Sequence, residues 1–181
     1  MIIFINGSFG VGKTTVSRLL VKLLPRSVLF DPEPIGVALL RLSRLWPGRT
    51  CADDFQDLSF WRAASIRSIG LVGRLRRVVV VPMAFSNATY LHQFLNAVRR
   101  EDGDTFHFCL TAPLAVVRER LISREARCGP TEWQLRRSAE CCEAHRGPDF
   151  AELVATEGRS PREVAADILE RIRAGVELAV R

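Results

Sequence analysis

Lysine is almost missing from this chain. Of its 26 basic residues only Lys13 and Lys22 are lysines. Where arginine is so widely preferred, a remaining lysine marks a place that needs a compact ammonium and not a planar guanidinium; Lys13 has that character, and Lys22 reads as a solvated mid-helix residue. Also lacking are a C-x-x-C pair among Cys51, Cys109, Cys128, Cys141 and Cys142, and an H-x-x-x-H spacing among the three histidines. The cysteines therefore read as small apolar filler in a reducing compartment, with no case for a disulfide or zinc. The apolar runs, such as Val78 to Met83, are far too short to span a membrane. No basic stretch or cleavage site precedes the opening run Met1-Ile2-Ile3-Phe4-Ile5, which reads as a buried strand and not a signal peptide. A cytoplasmic protein is expected. The net charge of +6 is arginine spread through every helix and not a patch, which argues against a nucleic-acid partner.

What is present is a chain of 181 residues, 48% hydrophobic, suited to one α/β domain with a substantial core over residues 1–181. Strand and helix patterns alternate along it. Ile2 to Asn6 reads as the first strand. Val16, Leu19, Leu20 and Leu23 give a helix with one apolar face, ended by Pro25. Val28-Leu29-Phe30 is a short strand, and a helix follows from about Ile35 to Leu45, broken at Pro47-Gly48. Asp53 with Gln56 resembles a capping box opening a helix toward Gly73. Val78 to Val81 is β-branched throughout, as in a strand covered on both faces. Tyr90, Leu91, Phe94, Leu95 and Val98 form a helical stripe. Thr105 to Leu110 is the next strand, with Pro113 in the first turn of the helix after it. Thr131 with Gln134 reads as a further cap, and Glu152 to Thr156 as a weak fifth strand. Ser160-Pro161-Arg162-Glu163 is a capping box that starts a last helix, with Val164, Ile168 and Ile172 turned inward. Five strands so spaced imply a parallel sheet with helices on both faces.

One motif carries chemistry outright. Gly7-Ser8-Phe9-Gly10-Val11-Gly12-Lys13-Thr14 matches G-x-x-x-x-G-K-S/T between a hydrophobic strand and an amphipathic helix, the setting of a P-loop. Its glycines let main-chain N–H groups close around phosphate oxygens at the positive end of a helix dipole. Lys13 should reach the β and γ phosphates, and the Thr14 hydroxyl should hold magnesium, with Thr15 beside it. The ligand expected is a purine nucleoside triphosphate, ATP with Mg2+.

The loop names a nucleotide and not a reaction. Ligands of such sheets gather at the carboxyl ends of the strands, where the second strand ends in Asp31-Pro32-Glu33. A hydroxyl acceptor needs a carboxylate to position it and take its proton, and a magnesium water shell needs another. Asp31 is assigned to the metal waters or the acceptor and Glu33 is the alternative base. In an extended segment the two would point the same way; a helix-capping turn is the competing reading. The strand at Val78 to Val81 ends in Pro82-Met83, where many P-loop enzymes carry an aspartate, so Pro82 and Met83 are read as shaping an acceptor pocket. Arg120 and Arg124 share a helix face and are candidates to close over the phosphates, with Arg127 beyond; an ordinary solvated face weighs equally. Arg136-Arg137 reads as surface. The polar and aromatic segment from Asp53 to Arg62 should cover the substrate: Asp54, Gln56, Trp61 and Arg62 are acceptor candidates, Arg62 the strongest, although a core tryptophan accounts for much of the pattern.

Together these pieces resemble the tunicamycin-resistance protein family, TmrB, a branch of the P-loop small-molecule kinases. The resemblance rests on I-N-G-S-F-G-V-G-K-T at Ile5 to Thr14, D-P-E-P-I-G at Asp31 to Gly36 and D-D-F-Q at Asp53 to Gln56. It continues with W-R at Trp61-Arg62, V-P-M at Val81 to Met83 and R-L-I-S-R at Arg120 to Arg124. It implies a nucleoside-monophosphate-kinase-like fold with strand order 2-3-1-4-5, ATP binding, and protection against a nucleoside antibiotic. An acceptor-covering region is expected over about 34–75 and a lid over about 118–147. The function expected is a Mg-dependent phosphotransferase on a small hydroxyl-bearing molecule, or else a protein that captures such a drug without chemistry. Its partner would be that small molecule, with the chain as monomer or homodimer. Some members carry a basic amphipathic tail for the membrane; here the last predicted helix ends with the chain at Arg181, so membrane association is not expected.

Overall fold

Strand β1 (Ile2–Gly7) is buried at every residue, and its pleat sends alternate side chains into two separate cores. Ile2 and Phe4 join one core with Val79 and Val81; Ile3 and Ile5 join the other with Val78 and Val80. A strand that feeds apolar side chains to both faces must be central and covered on both sides. In the computed structural model, which describes residues 1–43, 55–101, 104–124, 129–150 and 152–179, this is its place. β1 pairs in parallel with β3 (Val78–Pro82) on one side and with β4 (Thr105–Thr111) on the other. The short strands β2 (Ser27–Leu29) and β5 (Leu153–Ala155) complete a five-stranded parallel sheet of order 2-3-1-4-5.

Helices cover both faces, as the alternation of strands and helices predicts. One face packs on α3 (Ser59–Leu75) and α4 (Ala88–Glu101), through Trp61, Ile69, Leu91, Phe94, Leu95 and Val98. The other packs on α1 (Lys13–Leu23) and α7 (Pro161–Ala179), through Val16, Leu20, Val164, Ile168 and Ile172. The remaining helices are α2 (Glu33–Ser43), α5 (Leu114–Arg124) and α6 (Glu132–Ala144). Both downstream capping boxes form: Thr131 with Gln134 starts α6, and Ser160 with Glu163 starts α7. Among the described residues no helix is long and apolar enough to cross a membrane.

Beside one-residue shifts in the other strands, such as β2 at Ser27–Leu29 and not Val28–Phe30, α2, α3 and β5 differ from the sequence expectation. α2 begins at Glu33 and not near Ile35, because the Asp31 carboxylate accepts the Glu33 N–H at 3.0 Å and turns the chain into the helix early. α3 begins at Ser59, after a 3-10 turn at Phe55–Asp57, with Leu58 as an N-cap that makes no side-chain cap bond. β5 is three residues long and not five. The proposed capping residue Asp53, the break at Pro47-Gly48, the acceptor candidate Asp54, Arg127, Cys51 and Cys128 lie outside the described residues.

Candidate nucleotide and acceptor site

The carboxyl ends of β1 and β2, the start of α1 and the turn after β5 enclose a cleft of about 540 Å³. Its floor is the loop from Gly7 to Gly12. Gly7, Gly10 and Gly12 all have positive φ, at 149°, 81° and 107°. A Cβ on Gly7 would come within 2.9 Å of the Leu110 carbonyl, and one on Gly10 within 2.9 Å of the Val117 carbonyl. Backbone pressed this closely against β4 and α5 leaves room only for glycine. Gly12 precedes α1 without a side-chain cap, and the first turn of α1 holds no acidic residue. The helix therefore presents its N–H groups and positive dipole end to the cleft, the arrangement an anion requires.

The Lys13 side chain lies along this loop, 8% exposed. Its Nζ donates to the Ser8 carbonyl at 3.0 Å and sits 5.1 Å from the centre of the Phe9 ring. A nearly buried ammonium beside an uncapped helix start and a cradle of glycine backbone fits a polyphosphate. Thr14 and Asp31 line the same cleft. Among the described residues no group of three His, Cys, Asp or Glu side chains is placed to hold a metal. A hydroxyl, one carboxylate and phosphate oxygens suit magnesium, which keeps most of its water shell.

Asp31 and Glu33 both line the cleft, as the sequence reading expects, but by way of a turn and not an extended segment. Burial pushes the Asp31 carboxyl up from its ordinary value, against the opposing pull of the Glu33 N–H, Lys13 and Arg18. On the far wall, Arg120 and Arg124 reach the cleft from α5. Arg120 donates to the Thr156 hydroxyl and carbonyl, each at 2.9 Å, and to the Val11 carbonyl at 3.4 Å. It thus ties the P-loop, α5 and the turn after β5 together.

The sequence profile of a family described as an AAA domain matches residues 2–144. The tunicamycin resistance protein of Deinococcus radiodurans is 31% identical over 97% of this chain and 94% of that one, with a TM-score of 0.73. The chain belongs to the tunicamycin-resistance family of AAA-domain, P-loop kinase-like proteins. Two further solved structures share the fold at lower identity. A gluconokinase from Sinorhizobium meliloti is 19% identical over 98% of this chain and 94% of its own, with a TM-score of 0.70. A shikimate kinase from Acinetobacter baumannii is 18% identical over 96% and 93%, with a TM-score of 0.62. Among curated protein sequences, none matches the chain. The kinase-like P-loop fold of this family carries nucleotide binding with it.

In this tunicamycin-resistance family member, several acceptor candidates stand elsewhere than the sequence places them. Trp61 is wholly buried, and its indole N–H donates to the Pro32 carbonyl at 3.1 Å. It holds the Asp31-Pro32 segment from behind. Met83 is wholly buried in the same core, and Gln56, 4% exposed, donates to the Ala84 carbonyl at 2.9 Å. Arg62 binds the Gln56 carbonyl and lies 4.3 Å above the Tyr90 ring. None of these four lines the cleft; Trp61 and Met83 belong to the apolar core, and Gln56 and Arg62 are taken up by Ala84, Tyr90 and one another. Arg137, read from the sequence as surface, has a side chain only 12% exposed and donates to Ser86 and Glu140.

Sequence reasoning missed a second polar group beside the site. Asn6 accepts the Phe85 N–H at 2.9 Å and donates to the Phe85 carbonyl at 3.3 Å, and the His145 Nε2 meets the same carbonyl at 2.8 Å. Burial pushes the His145 pKa down, so the ring is held neutral. A polar residue at the inner end of an apolar strand, as Asn6 is, was the available signal. Missed also were Thr156 and Arg159 after β5. Arg159 reaches the cleft while bonded to Asp167 at 2.9 Å. Burial opposes the Asp167 charge, yet hydrogen bonds from Arg171 and Arg159 hold its carboxyl below the ordinary value. Cys109 and Cys141 are buried thiols, pushed up to about 12 chiefly by desolvation, and so are inert filler.

Proposed function

We propose that this protein transfers the terminal phosphoryl group of ATP, with Mg2+, to a hydroxyl of a small molecule, a nucleoside-like antibiotic of the tunicamycin kind. The observation that carries this reading is the presence of Asp31 in the cleft that holds Lys13 and the glycine loop. A binding loop alone needs no carboxylate facing it, whereas transfer to a hydroxyl needs a proton acceptor there. The name of the Deinococcus relative supports the class of acceptor, and the names gluconokinase and shikimate kinase, borne by proteins of the same fold, support the reaction type.

ATP when bound supplies the phosphoryl group, and magnesium spreads its charge. The chain's own residues supply binding and proton transfer. Gly7 to Thr15 would hold the phosphates through backbone N–H groups, with Lys13 as the fixed cation and the Thr14 hydroxyl on the metal side, joined there by Asp31 if Glu33 is the base. Where Asp31 faces the acceptor it takes the hydroxyl proton, Glu33 being the alternative base. Arg120 and Arg124 face the phosphates from the lid region, about 118–147. The region about 34–75 covers the acceptor's side, and Gln56, Trp61, Arg62 and, after β3, Met83 support it from behind the cleft. We propose a cytoplasmic protein, monomer or homodimer, whose partner is a small molecule and neither nucleic acid nor membrane.

Purified protein with ATP, Mg2+ and a panel of nucleosides, amino sugars and tunicamycin should yield ADP and a phosphorylated product. Tight ATP binding with no product across the panel would overturn the transfer reading. A second reading, nucleotide-dependent capture of the drug without chemistry, is favoured by Pro82 lining the cleft at the end of β3, where no carboxylate follows. Asp31→Asn separates the two. Under transfer it abolishes turnover; under capture it leaves calorimetric drug binding nearly intact.

A further inference from the structure

Phe9 sits at the third position of the glycine loop, and what holds its ring is on another helix. The Lys13 Nζ lies over the ring, 5.1 Å from its centre, and the Trp133 ring of α6 meets it edge-on at 5.3 Å and 63°. Both rings are half-buried. Trp133 is itself fixed from both ends of α6. The Thr131–Gln134 capping box locks the start of the helix. Further along, Arg137 binds Ser86 at 2.9 Å, and past its end His145 binds the Phe85 carbonyl at 2.8 Å. Gln134, next to Trp133, lines the nucleotide cleft.

We infer that Phe9 and Trp133 form an aromatic cover over the phosphate end of the cleft, with Phe9 shielding the Lys13 ammonium and Trp133 as the positioning residue that holds it there. The inference rests on the phosphotransferase reading for its consequence and on the geometry alone for the cover. An ammonium between a carbonyl and a ring face is satisfied without water: the Ser8 oxygen takes a hydrogen bond and the ring takes charge. Removing water from that end strengthens the attraction between Lys13 and a phosphate. It also removes the competitor of the acceptor, since a water molecule that attacks the terminal phosphorus releases ADP and inorganic phosphate with no product made. An enzyme acting on a scarce drug would otherwise consume ATP whenever the drug is absent.

The chain contains only two lysines, Lys13 and Lys22, and Lys22 is exposed. Amine-reactive labelling read by mass spectrometry therefore reports the cover directly, with Lys22 as internal reference and no nucleotide required. The inference predicts that Phe9→Ala and Trp133→Ala each raise Lys13 labelling several-fold relative to Lys22, while Trp133→Phe, which keeps an edge contact, leaves it near the wild-type value. With nucleotide present and acceptor absent, the two alanine variants should release phosphate from ATP several times faster than wild type. Unchanged Lys13 labelling in folded Phe9→Ala protein, a change in the loop and not in a helix, would overturn the cover even if Trp133→Ala fails to fold. Raised labelling with unchanged phosphate release would overturn the water-excluding role. If wild-type protein binds no ATP, the proposed function falls, and labelling still decides on the cover.

Discussion

The Arg120 guanidinium holds Thr156 twice, at hydroxyl and carbonyl, each at 2.9 Å. The pair links α5 to the turn after β5 in the lining of the nucleotide cleft. Arg120→Ala removes both bonds and leaves the Thr156 carbonyl, in a residue 4% exposed, without this donor, while the hydroxyl keeps the Thr111 carbonyl at 3.2 Å. A loss of about 2 kcal/mol in chemical denaturation is expected, the size of a charge-assisted pair. Calorimetry should show weaker ATP binding as well. Arg120→Lys should not restore it, since one ammonium cannot span both acceptors.

The glycines of the loop are not equivalent. Gly10→Ala would place a Cβ 2.8 Å from Leu121 and 2.9 Å from the Val117 carbonyl, at a φ of 81°. A destabilisation of at least about 2 kcal/mol is expected from overpacking and strain together. Gly12→Ala meets nothing within 4 Å but keeps a φ of 107°, and should cost about 1 kcal/mol. Urea melts of the two variants measure the difference directly.

Asp31 makes opposed predictions for stability and turnover. Its pKa is raised in the folded protein by burial, so the fold favours the protonated acid. The stabilisation this brings is complete below the ordinary carboxylate pKa and is lost as pH rises through the raised folded value. Asp31→Asn should therefore melt higher than wild type at neutral pH and lose that advantage in acid. Turnover requires an ionised base, so the variant should be inactive at every pH. Paired thermal melts and pH–rate profiles test both.

His145 titrates in the other direction. Desolvation depresses its pKa below 6.5, so the fold excludes the imidazolium. Stability is full above 6.5 and declines as pH falls from there toward the depressed folded value, because the unfolded chain takes the proton first. Wild-type melting temperature should fall over that window. His145→Gln, which cannot ionise, should show a shallower fall, at the expense of a lower melting temperature at neutral pH.

Much of the fold is legible in the sequence because its signals are local. The β-branched run at Val78 to Val81, the apolar stripe from Tyr90 to Val98 and the capping boxes at Thr131 and Ser160 each specify one element. The P-loop is legible for the same reason: strand, glycine loop and helix are contiguous. The acceptor wall is not contiguous. Trp61 points into the core because a full indole is better buried than wet, and its N–H finds Pro32; no spacing rule distinguishes that from a ring facing a ligand. Arg137 looks like one arginine among many until Ser86, 51 residues away in sequence, meets it. The Asn6–Phe85–His145 cluster joins three distant segments, and only tertiary structure brings them together.

The central claim is that the loop from Gly7 to Thr14 grips a triphosphate with Lys13 beside it. Calorimetric titration of a non-hydrolysable ATP analogue with Mg2+ into wild-type and Lys13→Ala protein tests it most directly. Saturable one-site binding to wild type, lost in a variant that melts like a folded protein, is the predicted result. No binding to wild type, or equal binding to both proteins, would contradict it.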